Sequence, residues 1–210
     1  MSKPRELIQR RRACPVNFEV IRAEALDATK IAGHAAVFDV KADLGYATES
    51  IAAGAFEESL TRGDDVRALF NHDPSLILGR TASKTLELRE DNVGLFARIS
   101  PPDTALGRDI VTLVERGDIS QMSFGFYVEE EEARFEKNEK PHYTITRARL
   151  FDVSAVTFPA YVETDLDVER VRAWRSDRDR ERREREQAQK TEQARADKAK
   201  RDREIERLKF

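Results

Sequence analysis

The sequence predicts a mixed α+β fold, mainly β, with a long charged helix at its C-terminal end. Three observations lead there. Short runs with period-two alternation recur between Asn17 and Phe158, punctuated by glycine, proline and acidic turn residues. Only two segments of that stretch carry helix signals. Beyond Val168 glycine and proline vanish, and Arg, Glu, Lys, Asp, Gln and Ala dominate.

Charge divides the chain at the same place. Residues 169–210 hold 16 Lys/Arg and 11 Asp/Glu, a net of +5, whereas residues 1–168 hold 21 and 29, a net of −8. The acidic body can bury a core. The basic tail cannot, because its only apolar residues between Arg175 and Glu204 are alanines. The expected organisation is a disordered basic N-terminus over 1–16, a folded domain over 17–167, and a charged helical tail over 168–210.

The elements follow in order. Asn17-Phe18-Glu19-Val20 alternates and Ile31 to Phe38 is apolar with a break at Gly33, so Phe18 to Phe38 reads as strands. Gly54 to Leu60 starts a short helix that Gly63 stops. Val66 to Phe70 is a strand with Val66, Ala68, Phe70 and His72 on one face, ended before Pro74; Leu76 to Gly79 is extended again. Thr85 to Arg89 and Leu95 to Ile99 flank the turn residues Glu90 to Gly94, which predicts a hairpin. Thr104 to Arg116 is the best helix of the body. Leu106, Ile110, Leu113 and Val114 form its stripe, Asp103 or Thr104 caps it, and Gly117 ends it.

Ile119 to Val128 is a strand with Met122, Phe124, Phe126 and Val128 on a core face. Ser123 then points away from that core, as an accessible nucleophile must, and Gly125 leaves room beside it for a substrate backbone. The acidic run from Glu129 and the charged stretch through Lys140 read as an exposed loop. Strands return over Tyr143 to Arg149 and Phe151 to Phe158. In the tail, opposite charges recur at i,i+4: Glu181 with Arg185, Arg182 with Glu186, Glu186 with Lys190, Asp197 with Arg201, Lys200 with Glu204. Each such pair stabilises a helix by about 0.2–0.5 kcal/mol. No apolar a/d series exists before Ile205 and Leu208, which argues against a coiled-coil seam.

Several chemistries are excluded or disfavoured. One cysteine, Cys14, permits no internal disulfide and no cysteine-rich zinc site. There is no phosphate-binding glycine loop and no His-x-x-x-His, so no cofactor or metal is expected. No run approaches the ~20 apolar residues of a membrane span, and the start lacks a signal peptide's apolar stretch, so the expectation is a soluble intracellular protein. The tail's interleaved acids and its lack of stacking aromatics argue against nucleic acid.

Three polar side chains stand at or beside short apolar runs: His72 in Asn71-His72-Asp73, Ser123 in Gln121 to Phe126, and Asp152 in Leu150 to Ser154. A serine nucleophile needs a base to take its proton and an acid to orient that base. His72 ends an apolar strand and faces a loop; an imidazole's ordinary pKa of about 6.5 suits general-base work. Of the other two histidines, His34 lies in an apolar run as a packing residue and His142 in a polar, surface stretch. Ser100, Ser120 and Ser154 compete with Ser123. A carboxylate in an apolar strand needs a partner, so Asp152 pairs either with a histidine N–H or with Arg147 or Arg149. Asp73 is the alternative third member, although its position before Pro74 suits a turn.

These words line up with a family. Gly33 to Phe38, Glu49 to Phe56, Leu69 to Asp73, Leu78-Gly79-Arg80, Gly94-Leu95, Met122 to Phe126 and Asp152 to Ala160 together resemble the tailed-phage prohead proteases of the HK-ninety-seven type. The resemblance covers roughly Ile31 to Tyr161. It implies an assemblin-like β-barrel core with surrounding helices, and a serine endopeptidase packaged in the immature shell within the host cytoplasm. Its partners would be the major capsid protein and the scaffold, or the capsid protein's scaffolding segment. It would also cut itself. Residue by residue, His72 matches the family's histidine and Ser123 its serine. Asp152 is the choice for the third member, where assemblins use histidine. Assemblins follow that member with an arginine pair; here Thr157-Phe158-Pro159-Ala160 stands instead, so the oxyanion donors are not assigned. Assemblin-like proteases often act as dimers, which makes self-association a further expectation. Two other readings compete: a non-enzymatic internal scaffold of the same fold, and an unrelated Ser/His hydrolase. The missing Gly-x-Ser-x-Gly elbow weighs against the α/β-hydrolase version of the latter.

Overall fold

The computed structural model describes residues 9–17, 19–23, 28–158, 175–194 and 198, and their side chains from Lys30 onward. Two compact units divide it, Met1–Glu163 and Thr164–Phe210. The first contains eleven described strands and two helices: β1 Gln9–Asn17, β2 Glu19–Ala23, β3 Ala28–Val37, β4 Ala42–Asp43, β5 Thr48–Ile51, α1 Glu57–Arg62, β6 Arg67–Phe70, β7 Asp73–Arg80, β8 Leu86–Glu90, β9 Gly94–Ile99, α2 Ala105–Arg116, β10 Gln121–Arg134 and β11 His142–Val156. The second contains a helix over residues 175–194, α3. The fold is mixed α+β and mainly strand, as expected.

The strands form two sheets. One runs β1-β10-β11-β5-β4, with β6 also on β11 and β7 on β6; the other runs β2-β3-β9-β8. β10 and β11 make a long antiparallel pair at the centre of the first sheet. Along its other edge β11 pairs in parallel with β5 over His142–Ile145, then with β6 over Asp152–Ala155. The interval between them does not leave its donors empty. The Ala148 N–H donates to the Ala55 carbonyl at 2.8 Å, and the Leu150 N–H to Ser59 Oγ at 3.0 Å. Buried peptide groups must be partnered, so α1 and the turn before it complete the edge of β11.

The apolar face of β10 builds the core. Phe124 and Phe126 stack at 5.0 Å, Phe124 meets Phe56 edge-on at 5.6 Å, and Phe56 stacks on Phe38. Phe56, Phe124 and Phe126 are fully buried, as are Ile31, Leu95 and Ile99 of the second sheet. Each such side chain stabilises the fold by about 1.5–3 kcal/mol relative to exposure. The helices follow their sequence signals. Thr104 Oγ1 accepts the Gly107 N–H to cap α2, and Gly63 and Gly117 end α1 and α2 in left-handed conformation. The predicted hairpin is β8–β9, with Glu90 opposite Leu95.

Three expectations are corrected. Disorder over 1–16 does not extend to Gln9–Asn17, which forms β1 against β10; residues 1–8 lie outside the described residues. The acidic run is no loop: β10 continues through it to Arg134, with charges alternating outward and Glu130 set opposite Arg147, 2.9 Å away. Opposite charges across a strand pair offset the low strand propensity of glutamate. The two strands expected after Tyr143 are one, β11, carrying a bulge. Leu150 faces Phe126 and Asp152 faces Gly125, which leaves Phe151 as the extra residue. In α3, Glu181–Arg185 and Arg182–Glu186 lie at 3.9 and 3.8 Å. The pairs expected at Asp197–Arg201 and Lys200–Glu204 fall outside the described residues. Among the described residues no helix is long and apolar enough to cross a membrane.

Candidate active site

The chemistry gathers on three neighbouring strands of the first sheet. Ser123 projects from β10 and Asp152 and Ser154 from β11, with Ser154 directly opposite Ser123 in the ladder. His72 comes from the hairpin between β6 and β7. There Phe70 pairs with Asp73, so Asn71-His72 is a two-residue loop, and both residues have positive φ, 52° and 58°. Hairpin loops of this length favour positive φ at both positions, because that twist matches the strands. Asparagine tolerates it; histidine stands where glycine is the usual choice. Two devices hold the loop. The Asn71 N–H donates to the Ala155 carbonyl at 2.9 Å, extending the β6–β11 ladder by one bond. Asn71 Oδ1 accepts from the Thr157 N–H at 3.0 Å and from Thr157 Oγ1 at 3.2 Å.

From that loop the imidazole reaches back over β11. His72 Nε2 lies 2.7 Å from Ser123 Oγ, and Nδ1 lies 2.6 Å from Asp152 Oδ1. An ionised carboxylate only accepts hydrogen bonds, so Nδ1 carries the proton and donates to Asp152. Nε2 then presents its lone pair to the Ser123 hydroxyl. Such an arrangement can draw a proton from serine as it attacks, and then carry it on an oriented imidazolium. Ser123, Asp152 and Ser154 are buried, and so is the His72 ring.

Each candidate has found its place. His72, Ser123 and Asp152 come together. Of the two partners open to Asp152, the structure uses His72. Arg147 turns instead to Glu58, Glu129 and Glu130, and Arg149 lies over the Tyr127 ring at 4.8 Å. Asp73 serves its turn, with Oδ1 accepting from the Ser75 N–H and hydroxyl. His34 Nε2 meets both Asp91 oxygens at 3.0 Å and sets its ring edge-on to Phe96. His142 is not a plain surface residue. Its nitrogens hydrogen-bond the hydroxyls of Thr48 and Ser50, and burial holds its pKa below the ordinary imidazole value. Cys14 lies on β1, its side chain outside the described residues.

Two expectations about Ser123 change. The residue is 0 % exposed rather than open to solvent. Its strand has a second neighbour, β1, with Ala13 opposite Ser123, so both edges of β10 are occupied there. The room beside Gly125 is filled as well: a Cβ there would sit 2.4 Å from the Phe151 ring and 2.6 Å from Asp152 Oδ2. Glycine is needed so that the carboxylate and the bulged phenylalanine can approach β10. Among the described residues no group of three or more His, Cys, Asp or Glu side chains is placed to hold a metal ion.

A sequence model of the caudovirus prohead serine proteases matches residues 17–177, more than half of the chain. The chain belongs to the caudovirus prohead serine protease family. The fold agrees. The structure of the bacteriophage T4 capsid assembly protease, gp21, superposes with a TM-score of 0.52 at 12 % identity, covering 74 % of this chain and 100 % of that one. No curated protein sequence matches. A prohead protease of this family is a protease of phage capsid maturation. Its sequence made the three central residues legible. It did not reveal the work of Asn71, Gly125 or Ser154. The signal for the first was an asparagine opening a two-residue interval between extended runs, a hairpin mark obscured because histidine follows it instead of glycine.

Proposed function

We propose that this prohead protease is a serine endopeptidase in which Ser123 is the nucleophile, His72 the general base and Asp152 the group that orients and stabilises the imidazolium. The observation that carries the reading is the continuous hydrogen-bonded line from Ser123 Oγ through both ring nitrogens of His72 to Asp152, with steps of 2.7 and 2.6 Å. Ser123 attacks the scissile carbonyl while its proton passes to His72 Nε2. His72 returns that proton to the leaving amine, and the ester formed on Ser123 is hydrolysed by water activated in the same way. The substrates are the scaffold or the scaffolding segment of the major capsid protein, and the protease itself, inside the immature shell. Residues 17–167 form the protease domain. Residues 168–210 are an arm that engages the assembling shell or the scaffold.

The test is mass spectrometry of the protein co-produced with its capsid and scaffold partners, wild type beside Ser123→Ala and His72→Ala. Discrete fragments in wild type that vanish in both variants are expected. Identical intact masses in all three, with shells still assembling, would replace this reading with that of a non-enzymatic internal scaffold.

A further inference from the structure

We propose that Ser154 is a fourth, positioning residue of the site, fixing the Asp152 carboxylate and the tautomer of His72. The inference rests on the proposed triad and concerns a residue outside it. Ser154 Oγ lies 3.1 Å from Asp152 Oδ1 and 3.2 Å from His72 Nδ1. Those two atoms are themselves joined at 2.6 Å, so three polar atoms close a ring. Within it the Nδ1 proton goes mainly to Oδ1, and the Ser154 hydroxyl donates its own proton to the same oxygen. Oδ1 is then held from two directions. The carboxylate cannot turn about its χ2 without breaking both bonds.

Packing alone does not account for a serine here. Ser154 is 0 % exposed, paired to Ser123 on one side and Leu69 on the other, between the apolar neighbours Val153 and Ala155. A hydroxyl taken out of water costs stability unless it is hydrogen-bonded, and alanine would fill such a strand position without that cost. This hydroxyl donates to Asp152 Oδ1 and its oxygen accepts a share of the His72 Nδ1–H. Register explains why it can. Asp152 and Ser154 are two apart on β11 and share a face, and the bulge at Phe151 sets the phase that turns that face toward His72.

The consequence is chemical as well as geometric. A hydrogen bond donated to a carboxylate spreads its charge and lessens its hold on a neighbouring proton. Without the Ser154 donor, Asp152 holds the imidazolium more tightly, and His72 must lose a proton at higher pH before it can act as a base. A merely structural serine would not move that titration.

The experiment measures cleavage of a peptide spanning a site mapped in the co-production assay, across pH, for wild type, Ser154→Ala, Ser154→Thr and Ser154→Val. Threonine and valine have nearly the same shape, so their difference isolates the hydroxyl. In Ser154→Ala, kcat is expected to fall about tenfold or more with KM little changed, as for a misplaced catalytic group. The acid limb of kcat/KM is expected to move to higher pH. Threonine should retain at least about fivefold more activity than valine, an expectation built on the same positioning argument. Urea midpoints establish that the variants are folded. An unmoved acid limb with kcat within about twofold of wild type, or equal activity in the threonine and valine forms, would overturn the role of Ser154 while leaving the triad in place. A wild type without Ser123-dependent cleavage would overturn both. The imidazole Nδ1–H resonance supplies a readout independent of turnover: it should shift downfield in Ser154→Val but not in Ser154→Thr, and an identical line in both counts against the proposal.

Discussion

Replacing Gly125 by alanine tests how tightly β10 and β11 are drawn together beside the site. The added methyl would meet Phe151 Cε2 at 2.4 Å and Asp152 Oδ2 at 2.6 Å, where ordinary contact begins at 3.4 Å. The carboxylate must therefore retreat by about 0.8 Å and the ring by about 1 Å, a small-to-large overpacking that costs about 1–3 kcal/mol. Asp152 is joined to His72 at 2.6 Å, and a retreat of that size away from the ring stretches the bond to about 3.4 Å, beyond the usual range of roughly 2.7–3.2 Å, and weakens it. Displacing a catalytic constellation by about 1 Å costs on the order of 100-fold in rate. Gly125→Ala should thus combine a modest loss of stability with a large loss of processing, read by urea denaturation and by mass spectrometry of the capsid and scaffold proteins. Gly94→Ala is the control. Its methyl would fall 1.9 Å from the Ala36 carbonyl on the neighbouring strand of the second sheet, away from the site, so it should lose stability without a specific catalytic defect in the fraction that folds. Gly125→Ala processing at the wild-type rate with an unchanged urea midpoint would refute this account of the β10–β11 contact.

Other predictions follow from the same geometry. Asn71→Asp keeps an acceptor for the Thr157 N–H and should stay near wild type, whereas Asn71→Ala loses that acceptor and the ease of positive φ, costing about 1–3 kcal/mol by urea denaturation and reducing cleavage further. His142 is held below its ordinary value first by burial and then by Lys41 and Arg134, with Glu49 opposing. Its stabilising contribution is therefore present above about pH 6.5 and lost as pH falls through the lower folded value. Urea midpoints at pH 7.5 and 5.5 should differ less in His142→Gln than in wild type; an equal difference would dismiss the histidine as the source. Glu130→Gln removes the cross-strand pair with Arg147, both groups partly exposed, and should cost less than about 1 kcal/mol in low salt and nothing measurable in high salt.

The helices were legible because their signals are local. Thr104, the stripe through Ile110 and Val114, and the stop at Gly117 all lie within one segment, and α2 forms where they place it. The β8–β9 hairpin was legible for the same reason. The acidic half of β10 was not, since Glu129 to Arg134 is a strand only because β11 supplies partners further along the chain, from Arg147 opposite Glu130 to His142 opposite Arg134. Strand propensity is largely the fit to neighbours, and neighbours are absent from a local reading. The site divides likewise. His72, Ser123 and Asp152 were recognisable from residue type and surrounding words. The burial of Ser123, the filling of the space at Gly125 and the ring closed by Ser154 depend on how β1 and β11 flank β10, on how β6 joins β11, and on a one-residue bulge that period-two alternation hides.

The complete burial of Ser123 has a consequence for anyone who labels it. A serine-directed reagent in solution cannot meet a side chain without exposed surface, so each labelling event records a transient opening. When closing outpaces labelling, the observed rate is the reagent's intrinsic rate multiplied by the open fraction, as in hydrogen exchange of a protected amide. An opening that costs about 3 kcal/mol slows labelling by roughly 100-fold or more, with no change in the serine itself. Slow labelling of this protein therefore measures the strength of the lock before it says anything about the key.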